Sequence, residues 1–388
     1  IAYLAAVLEK HGHAVAVFDQ SVTHASDREL FERIKQDETL DCVGIGFQAA
    51  YFRVAQGACG AIRDACRQRG IAFVLGGSAP SASPEYLLSK VDADYVMAGE
   101  CEESILAFAR MIDGDLDPAD VPGLYRRDNG AIVRNPRAEP PQDLDSLPLP
   151  LYDRFDMKSY AFPRRVPGAP GLVRPMGVLS TRGCPYSCKF CFRLEKSYRL
   201  RSVENVLDEV RHLIVAYGVS YLGFYDDLFM AGKSRVLAFC EAVRLSGLRF
   251  SWICNGRFNI ADREQLRAMK QAGCVTVAYG LESGDQKILD EMGKKITVEQ
   301  ILEVAAITKE EGLICQVPAM CGLPGETRES VTKTVELVAR ATSWHDRRTL
   351  RPMQPYPGSP YFEQCVKQGF LRDEDDFFER YISSEKWV

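Results

Sequence analysis

From residue 1 to about residue 120, short apolar runs alternate with longer segments of helical periodicity. The apolar runs predict strands at residues 14–18, 42–46, 73–75 and 95–98, and the helical patterns predict helices at 1–11, 27–36 and 51–69. Parallel strands need helical crossovers, and strands buried on both faces read as unbroken apolar runs. The pattern therefore predicts an α/β fold that opens with a doubly wound, Rossmann-like parallel sheet.

A second series of alternations begins near residue 177. It predicts strands at residues 177–180, 221–225, 250–254, 275–280, 314–320 and 349–353, with amphipathic helices at 203–217, 233–245, 262–272 and 298–311. Six successive βα units predict a partial (β/α)6 barrel that is open at one edge. Ligands of such folds bind at the carboxyl ends of the strands, so the loops there are the candidate site.

The segments outside these two series have a different composition. Asn129 and Gly130 stand between two short apolar runs and predict a β-hairpin. Prolines then follow closely, which argues against regular structure and predicts a linker. The chain starts inside a predicted helix with Ile1, so we expect an N-terminally trimmed first domain. The predicted division is a first domain over residues 1–120, a hairpin and linker over 121–175, a barrel over 176–357 and a short, mostly helical extension over 358–388.

Composition narrows the class of protein. Apolar residues make up 46% of the 388 residues and charged residues 26%, as in ordinary globular proteins. The net charge of −5 argues against a nucleic-acid-binding face. No apolar run approaches the roughly 20 residues of a membrane span, and no basic leader precedes an apolar stretch. Thirteen cysteines are too few for a disulfide scaffold, so we expect a cytoplasmic protein whose dispersed cysteines are reduced core residues.

Three of the cysteines are crowded into eight residues. Cys184, Cys188 and Cys191 have the spacing C-x3-C-x2-C, on the predicted loop after the first barrel strand. Thiolates this close together can bind three corners of one iron–sulfur cubane and leave the fourth iron open for a small molecule. The spacing therefore predicts a 4Fe–4S cluster on these three residues.

Two features next to the cysteines bear on this prediction. The basic residues Arg182, Lys189 and Arg193 are expected to favour thiolate formation. The alternative of a zinc site needs a fourth ligand at comparable spacing, and the nearest downstream candidates, His212 and Cys240, both fall in predicted helices. The cluster is the better interpretation.

Further polar motifs follow later strands of the barrel. They are Phe224-Tyr225-Asp226-Asp227, Asn255-Gly256-Arg257, Gly280-Leu281-Glu282-Ser283-Gly284 and Gly322-Leu323-Pro324-Gly325-Glu326-Thr327. Together with the cysteine loop they resemble the radical S-adenosylmethionine superfamily. The resemblance implies cleavage of S-adenosylmethionine to a 5′-deoxyadenosyl radical, and it implies S-adenosylmethionine contacts from Phe190, Asp226, Asn255, Arg257, Glu282 and Ser283. Each acid or hydroxyl could instead cap a turn or a helix.

The first domain lacks both a G-x-G-x-x-G fingerprint and a Walker loop. Its strands end in glycine-rich segments at the edge where open α/β sheets bind ligands. These segments resemble the cobalamin-binding domain of cobalamin-dependent radical enzymes, with Cys101 where a glycine is usual and no histidine after Gly77. The resemblance implies cobalamin contacts from Gly46, Gln48, Gly76, Gly77, Ser78, Gly99, Glu100 and Glu102. The alternative is a vestigial domain that only packs on the barrel.

The combined resemblance implies a cobalamin-dependent radical methyltransferase. Such an enzyme delivers a methyl group from methylcobalamin to an unactivated carbon after hydrogen abstraction, and no particular residue is predicted to act on the substrate. A cyclase, rearrangement or oxidative enzyme with the same cofactors is the alternative, and a cobalamin sensor or iron–sulfur carrier is the non-enzymatic one. A methylthiotransferase is disfavoured because the first domain has no cysteine triad of its own. The expected partners are a small-molecule substrate and a low-potential electron donor of the flavodoxin or ferredoxin type.

Overall fold

A computed structural model describes residues 1–382 of the chain. Its N-terminal sheet contains three parallel strands in the order β1-β2-β3, with Cys42 opposite Ala72 and Val74 opposite Tyr95. These strands are β1 (Cys42–Gly46), β2 (Ala72–Gly76) and β3 (Tyr95–Met97), and the helices around them are α1 (Ala2–Lys10), α2 (Gln20–Thr23), α3 (Asp27–Gln36), α4 (Phe52–Arg69), α5 (Ser78–Ala82), α6 (Pro84–Val91) and α7 (Ser104–Ile112).

Helices cover both faces of this sheet. Phe73 and Leu75 pack on one face with residues of α3, α4 and α6. Val74 points to the other face and packs with Phe108 of α7 and Leu4 of α1. This alternation follows from the strand pleat, which sends successive side chains to opposite faces. The doubly wound arrangement is confirmed.

Two predictions for this region need correction. Residues 14–18 form no strand, because their alternation reflects only alternating exposure to water, whereas a strand also needs a hydrogen-bonded neighbour. The hairpin at Asn129 and Gly130 forms as predicted, from β4 (Leu124–Asp128) and β5 (Ala131–Arg134). It does not belong to a separate linker, however, since β4 pairs antiparallel with β3 and extends the sheet to the order β1-β2-β3-β4-β5.

The proline-rich segment that follows contains more regular structure than predicted. Single 3-10 turns lie at Leu144–Ser146 and Tyr152–Arg154, α8 is Met157–Tyr160, and β6 (Arg164–Arg165) pairs with β7 (Leu172–Val173). Side-chain caps make such short elements possible between prolines. The Asp143 carboxylate accepts from the Asp145 amide at 3.0 Å, and the Asp156 carboxylate accepts from the Lys158 amide at 3.2 Å.

The second sheet is the predicted partial barrel. All neighbours are parallel in the order β15-β14-β13-β12-β11-β8, and β8 and β15 are the two edges. Its strands are β8 (Pro175–Val178), β11 (Tyr221–Phe224), β12 (Ser251–Gly256), β13 (Cys274–Tyr279), β14 (Ile314–Cys321) and β15 (Arg348–Pro352). The helices are α9 (Val203–Tyr217), α10 (Lys233–Ser246), α11 (Arg263–Gln271), α12 (Gln286–Glu291), α13 (Val298–Glu310) and α14 (Arg328–Ala341).

A short antiparallel ribbon lies beside β8. Its strands are β9 (Thr181–Arg182) and β10 (Arg199–Leu200), and they pair Arg182 with Arg199. The segment between these two strands contains all three clustered cysteines. The ribbon therefore closes the base of the cysteine loop.

The C-terminal extension packs back onto the first domain. It contains α15 (Pro360–Lys367), α16 (Glu374–Asp376) and a π-helical turn at Phe377–Tyr381. The centre of the Phe378 ring lies 4.8 Å from that of Phe52 and 5.3 Å from that of Tyr86. Phe378 is fully buried. Residues 383–388 of the predicted extension lie outside the described residues. Within residues 1–382, no helix has the length and apolar content needed to cross a membrane.

Candidate active site

The cysteine loop has a tightly constrained backbone. Gly183 has a φ of 79°, and a Cβ there would stand 1.9 Å from the Ser197 carbonyl oxygen, so this position requires glycine. The Cys191 amide donates to the Cys188 carbonyl at 3.1 Å. Cys188 is buried, Cys184 is half-buried, and Cys191 is exposed. The three cysteines of the loop are therefore exposed to different degrees.

The cations predicted to favour thiolate formation are engaged elsewhere. Lys189 pairs with Glu291 at 2.9 Å and Arg193 donates to the Tyr186 carbonyl at 3.3 Å, while Arg182 binds two acids of the first domain. Arg257 instead reaches a thiol directly, since its Nη1 lies 3.4 Å from the Cys188 sulfur. A local sequence pattern finds neighbours along the chain, whereas Arg257 reaches the loop from the end of β12.

The zinc alternative loses its two candidate fourth ligands. The His212 ring contacts Tyr152 and Tyr217, and Cys240 lies in the barrel core. Within residues 1–382, no three His, Cys, Asp or Glu side chains converge on a position for a single metal ion. Three soft thiol donors on one glycine-shaped loop are the donor set of an iron–sulfur cluster with one open iron, so the residues present fit that group.

Asp226 has a different position from the one its predicted role requires. It is fully buried, and its carboxylate accepts from the Ser180 amide and hydroxyl at 2.6 Å each and from the Thr181 amide at 2.7 Å. These donors already satisfy both of its oxygens. Asp226 therefore ties the end of β11 to the start of the cysteine loop, and its fully buried side chain is not exposed to a ligand at the rim.

The next residue is the acid that faces the open site. Asp227 is exposed, and it lies within electrostatic range of Cys184 and of Glu100 in the first domain. Partial burial, and then the nearby charge of Glu100, raise the pKa of Asp227 above its ordinary value. The sequence motif indicated that one of the two acids faces the site, because neighbours at a strand end point in different directions. It could not indicate which one.

Glu282 forms a buried ion pair that the sequence did not predict. Its Oε1 accepts from Lys294 Nζ at 2.7 Å, and Lys294 lies 5.5 Å from the centre of the Phe190 ring. Glu282 has a φ of 63°, a left-handed conformation that is costly for a glutamate. The three residues stand together next to Cys191, where Glu282 and Lys294 both influence its thiol. No motif marks Lys294, because it meets Glu282 only through the fold.

The remaining predicted S-adenosylmethionine residues separate into two groups. Asn255 is half-buried at the barrel rim, where its Nδ2 donates to the Asp226 carbonyl at 2.9 Å. Ser283 is fully buried, and its hydroxyl contacts the Thr334 hydroxyl at 3.4 Å and accepts from the Asp285 amide. The structure thus brings Phe190, Asn255 and Glu282 to the rim and holds Ser283 behind it. Contact of S-adenosylmethionine with the rim residues stays a prediction.

The glycine-rich ends of β1, β2 and β3 form one edge that faces the cysteine loop. Gln48 and Gly77 are exposed, and Gly46, Gly76, Ser78 and Gly99 are half-buried. Gly77 has a φ of 91° and would bring a Cβ to 3.1 Å from the Phe47 amide nitrogen. The Gly99 amide donates to the Ser81 hydroxyl at 2.9 Å. An edge that presents backbone rather than side chains fits a bulky flat ligand such as cobalamin.

Glu100 and Glu102 do not line this edge as predicted. Arg182 Nη1 binds Glu100 Oε2 and its Nη2 binds Glu102 Oε1, both at 2.7 Å, while Arg199 Nη2 binds Glu100 Oε1 at 2.5 Å. We call these four residues the charge cluster. Glu102 and Arg199 are buried, the side chains of Glu100 and Arg182 are 8% and 13% exposed, and carboxylates so far removed from water require cationic partners. The two glutamates therefore join the first domain to the ribbon that holds the cysteines.

Comparison with known proteins also assigns the cysteine loop and the glycine-rich edge to two different domains. The model of the radical SAM superfamily matches residues 178–338, and that of the B12 binding domain matches residues 1–109. These matches coincide with the barrel that carries the cysteine loop and with the glycine-edged sheet.

Curated relatives are similar over almost the whole chain. An uncharacterized methyltransferase, PH0819, of Pyrococcus horikoshii is 29% identical over 96% of this chain and 79% of its own length. The anaerobic magnesium-protoporphyrin IX monomethyl ester cyclase of Rubrivivax gelatinosus is 26% identical, over 98% of this chain and 68% of its own. The cytidylyl-2-hydroxyethylphosphonate methyltransferase of Streptomyces wedmorensis is 23% identical over 97% of this chain and 79% of its own length.

Solved structures share the fold. The radical S-adenosylmethionine methyltransferase TsrM of Kitasatospora setae, with cobalamin and a [4Fe-4S] cluster bound, superposes with a TM-score of 0.77 at 20% identity, over 95% of this chain and 71% of that one. The cobalamin-dependent S-adenosylmethionine radical enzyme OxsB superposes with a TM-score of 0.75 at 17% identity. The superposition covers 98% of this chain and 53% of OxsB. The chain therefore belongs to the cobalamin-dependent radical S-adenosylmethionine enzymes, whose cofactors are a 4Fe–4S cluster, S-adenosylmethionine and cobalamin.

Proposed function

We propose that this enzyme is a methyltransferase acting on an unactivated carbon, or a similarly poor nucleophile, of a small molecule. The observation that carries the proposal is that the charge cluster holds the glycine edge of the first domain against the base of the cysteine loop. A carbon without a lone pair cannot attack a sulfonium methyl group. It can accept a methyl group once hydrogen abstraction has made it a radical, if both cofactors stand over one substrate.

The proposal assigns roles to the residues of this chain. Cys184, Cys188 and Cys191 would hold the cluster, and backbone at Gly46, Gly76, Gly77 and Gly99, with Gln48 and Ser78, would hold cobalamin. When bound, the cluster and S-adenosylmethionine supply a 5′-deoxyadenosyl radical and cobalamin supplies a methyl group.

Three further residues would shape the space between the cofactors. Glu282 and Lys294 hold a buried pair of opposite charges beside Phe190 and Cys191, which fixes the wall of the rim next to the cluster site. Asp227 presents an exposed carboxylate on the side of the first domain, where a substrate would lie.

A cyclase is the second candidate, because one of the similar relatives is named as one. Protein reconstituted anaerobically with iron, sulfide and cobalamin distinguishes the two without knowledge of the substrate. It is incubated with reductant and S-adenosylmethionine labelled in the methyl group. Label that moves onto cobalamin supports methyl transfer, whereas 5′-deoxyadenosine without labelled cobalamin supports the cyclase. If neither product forms, the enzyme proposal fails.

We also propose a low-potential electron donor of the flavodoxin or ferredoxin type and a reducing, cytoplasmic location. The ten cysteines outside the cysteine loop form no disulfide bond within residues 1–382, which supports a reducing environment. Reduction of the reconstituted cluster by purified flavodoxin with its reductase, followed by electron paramagnetic resonance, tests the donor. A cluster that responds to dithionite but to neither flavodoxin nor ferredoxin contradicts it.

A further inference from the structure

Arg257 is buried beneath the cysteine loop with all three of its side-chain nitrogens engaged. Nη1 lies 3.4 Å from the Cys188 sulfur, Nε donates to Asn259 Oδ1 at 3.1 Å, and Nη2 donates to the Lys294 carbonyl. The guanidinium carbon stands 3.8 Å from the centre of the Tyr186 ring. Only 5% of the residue is exposed, so the side chain is fixed on every side by protein.

This environment argues against the contact predicted for Arg257. An arginine that clamps a carboxylate offers two parallel N–H groups to it. Here the donors are directed to protein acceptors, and one of those acceptors is a predicted cluster ligand. The arginine is therefore placed to act on the cluster through Cys188 and not on the carboxylate of S-adenosylmethionine.

A second donor approaches the same cysteine from the C-terminal extension. Tyr361 is fully buried in α15, and within residues 1–382 its hydroxyl has no hydrogen-bond partner. The Tyr361 amide donates to the Lys189 carbonyl at 3.1 Å, next to Cys188, and the hydroxyl lies within electrostatic range of that cysteine. A buried hydroxyl without a partner is costly, so it indicates an acceptor supplied by a bound group. The sulfurs of a cluster on Cys188 are such acceptors.

Hydrogen bonds to the sulfurs of an iron–sulfur cluster affect its reduction potential. Reduction adds negative charge to the cluster, and donors or positive charge beside it stabilise the reduced form. The buried guanidinium and the buried hydroxyl both act in this direction, and poor access of water strengthens their effect.

We propose that Arg257, with Tyr361 as a second donor, raises the reduction potential of the cluster through Cys188 and does not bind S-adenosylmethionine. Both are positioning residues, since each acts through the cluster rather than on the substrate. The inference rests on the proposed ligation of the cluster by Cys188, and it is independent of methyl transfer.

The test compares Arg257→Met, Arg257→Lys and Tyr361→Phe with the wild-type protein, each reconstituted with iron and sulfide. Arg267→Met is the matched control, because Arg267 lies on the exposed side of α11 and, among residues 1–382, forms an ion pair only with Glu311. Iron content reports loading, electron paramagnetic resonance at fixed potentials reports the reduced fraction, and equilibrium dialysis reports the affinity for S-adenosylmethionine. None of these readouts depends on turnover.

At the wild-type midpoint potential, the ratio of reduced to oxidised cluster should fall about tenfold in Arg257→Met, which corresponds to 59 mV for a one-electron couple. It should fall about threefold in Tyr361→Phe. In Arg257→Lys the ratio should lie between those of Arg257→Met and the wild type, since an ammonium keeps the positive charge but not the planar guanidinium geometry. The control should match the wild type, and the affinity for S-adenosylmethionine should change less than threefold in all variants.

Loaded variants that keep the wild-type ratio overturn the inference. A more than tenfold loss of affinity for S-adenosylmethionine at an unchanged ratio also overturns it and restores the carboxylate contact. If neither Arg257 variant takes up iron, Tyr361→Phe decides, because it removes one oxygen and keeps the buried ring. A wild-type protein that takes up no cluster contradicts the proposed function itself, which distinguishes the two failures.

Discussion

Arg182 and Glu100 form an ion pair across the two domains, with 2.7 Å between Nη1 and Oε2. Arg182 stands two residues before Cys184, and Glu100 follows the end of β3 by three residues. One buried interaction thus joins the base of the cysteine loop to the edge that fits cobalamin. The distance between the two cofactor sites depends on it.

We expect Glu100→Gln to lower the free energy of unfolding by about 3–5 kcal/mol, because it removes the carboxylate that pairs with both Arg182 and Arg199. Asp208→Asn, which breaks an exposed pair with Arg211, should cost less than about 1 kcal/mol. Urea unfolding of the cluster-free proteins measures both. Similar losses in the two variants contradict a special contribution from the charge cluster.

The same pair predicts a pH dependence. Burial raises the pKa of Glu100, but hydrogen bonds from Arg199 and Arg182 outweigh it and place the net pKa below the ordinary value of 4.5. The contribution of Glu100 to stability is therefore complete above pH 4.5 and is lost as the pH falls through the lower, folded-state value. The difference in unfolding free energy between wild type and Glu100→Gln should shrink on acidification below pH 4.5. A difference that grows there argues against this assignment.

Substitution of the two adjacent acids at the end of β11 should affect different properties: stability at Asp226 and activity at Asp227. Asp226→Asn leaves one of the bound donors of Ser180 or Thr181 facing an amide group, and should destabilise the protein by about 1–3 kcal/mol and reduce its iron content. Asp227→Asn should change stability by less than about 0.5 kcal/mol and slow deoxyadenosine formation about tenfold. Thermal unfolding and product chromatography check the pair, and equal stability losses would refute the division of roles.

Lys294→Met should destabilise the protein by about 3–5 kcal/mol, because it leaves the Glu282 carboxylate buried without a cation. Adding Glu282→Gln to that variant should recover more than half of the loss. A double-mutant cycle on the unfolding free energies measures the coupling. Additive losses would show that the two side chains act independently.

Phe378→Ala should lower the free energy of unfolding by about 3–5 kcal/mol, since it empties a buried site beside Phe52 and Tyr86. Phe370→Ala in the same extension removes an exposed ring and should change stability by less than about 0.5 kcal/mol. Thermal unfolding of both variants tests whether the extension is part of the first domain's core. A small effect at Phe378 contradicts that packing.

Much of the fold was predictable because the deciding interactions are local. The periodicity over residues 203–217 and the apolar run over 42–46 gave the bounds of α9 and β1 without error. The cysteine triad was equally visible, since one loop carries all three thiols. Residues 14–18 show the limit of this reasoning, because their alternating pattern has no paired neighbour along the chain.

The sequence by itself determined the two domains, their order and the three thiols, all of which depend on residues close together in the chain. Only the tertiary structure decided that Glu100 meets Arg182, that Asp226 is buried and Asp227 exposed, and that Lys294 pairs with Glu282. The reason is physical. A buried charge is stabilised by whichever opposite charge the fold brings within a few ångströms, and that partner can lie 82 residues away along the chain.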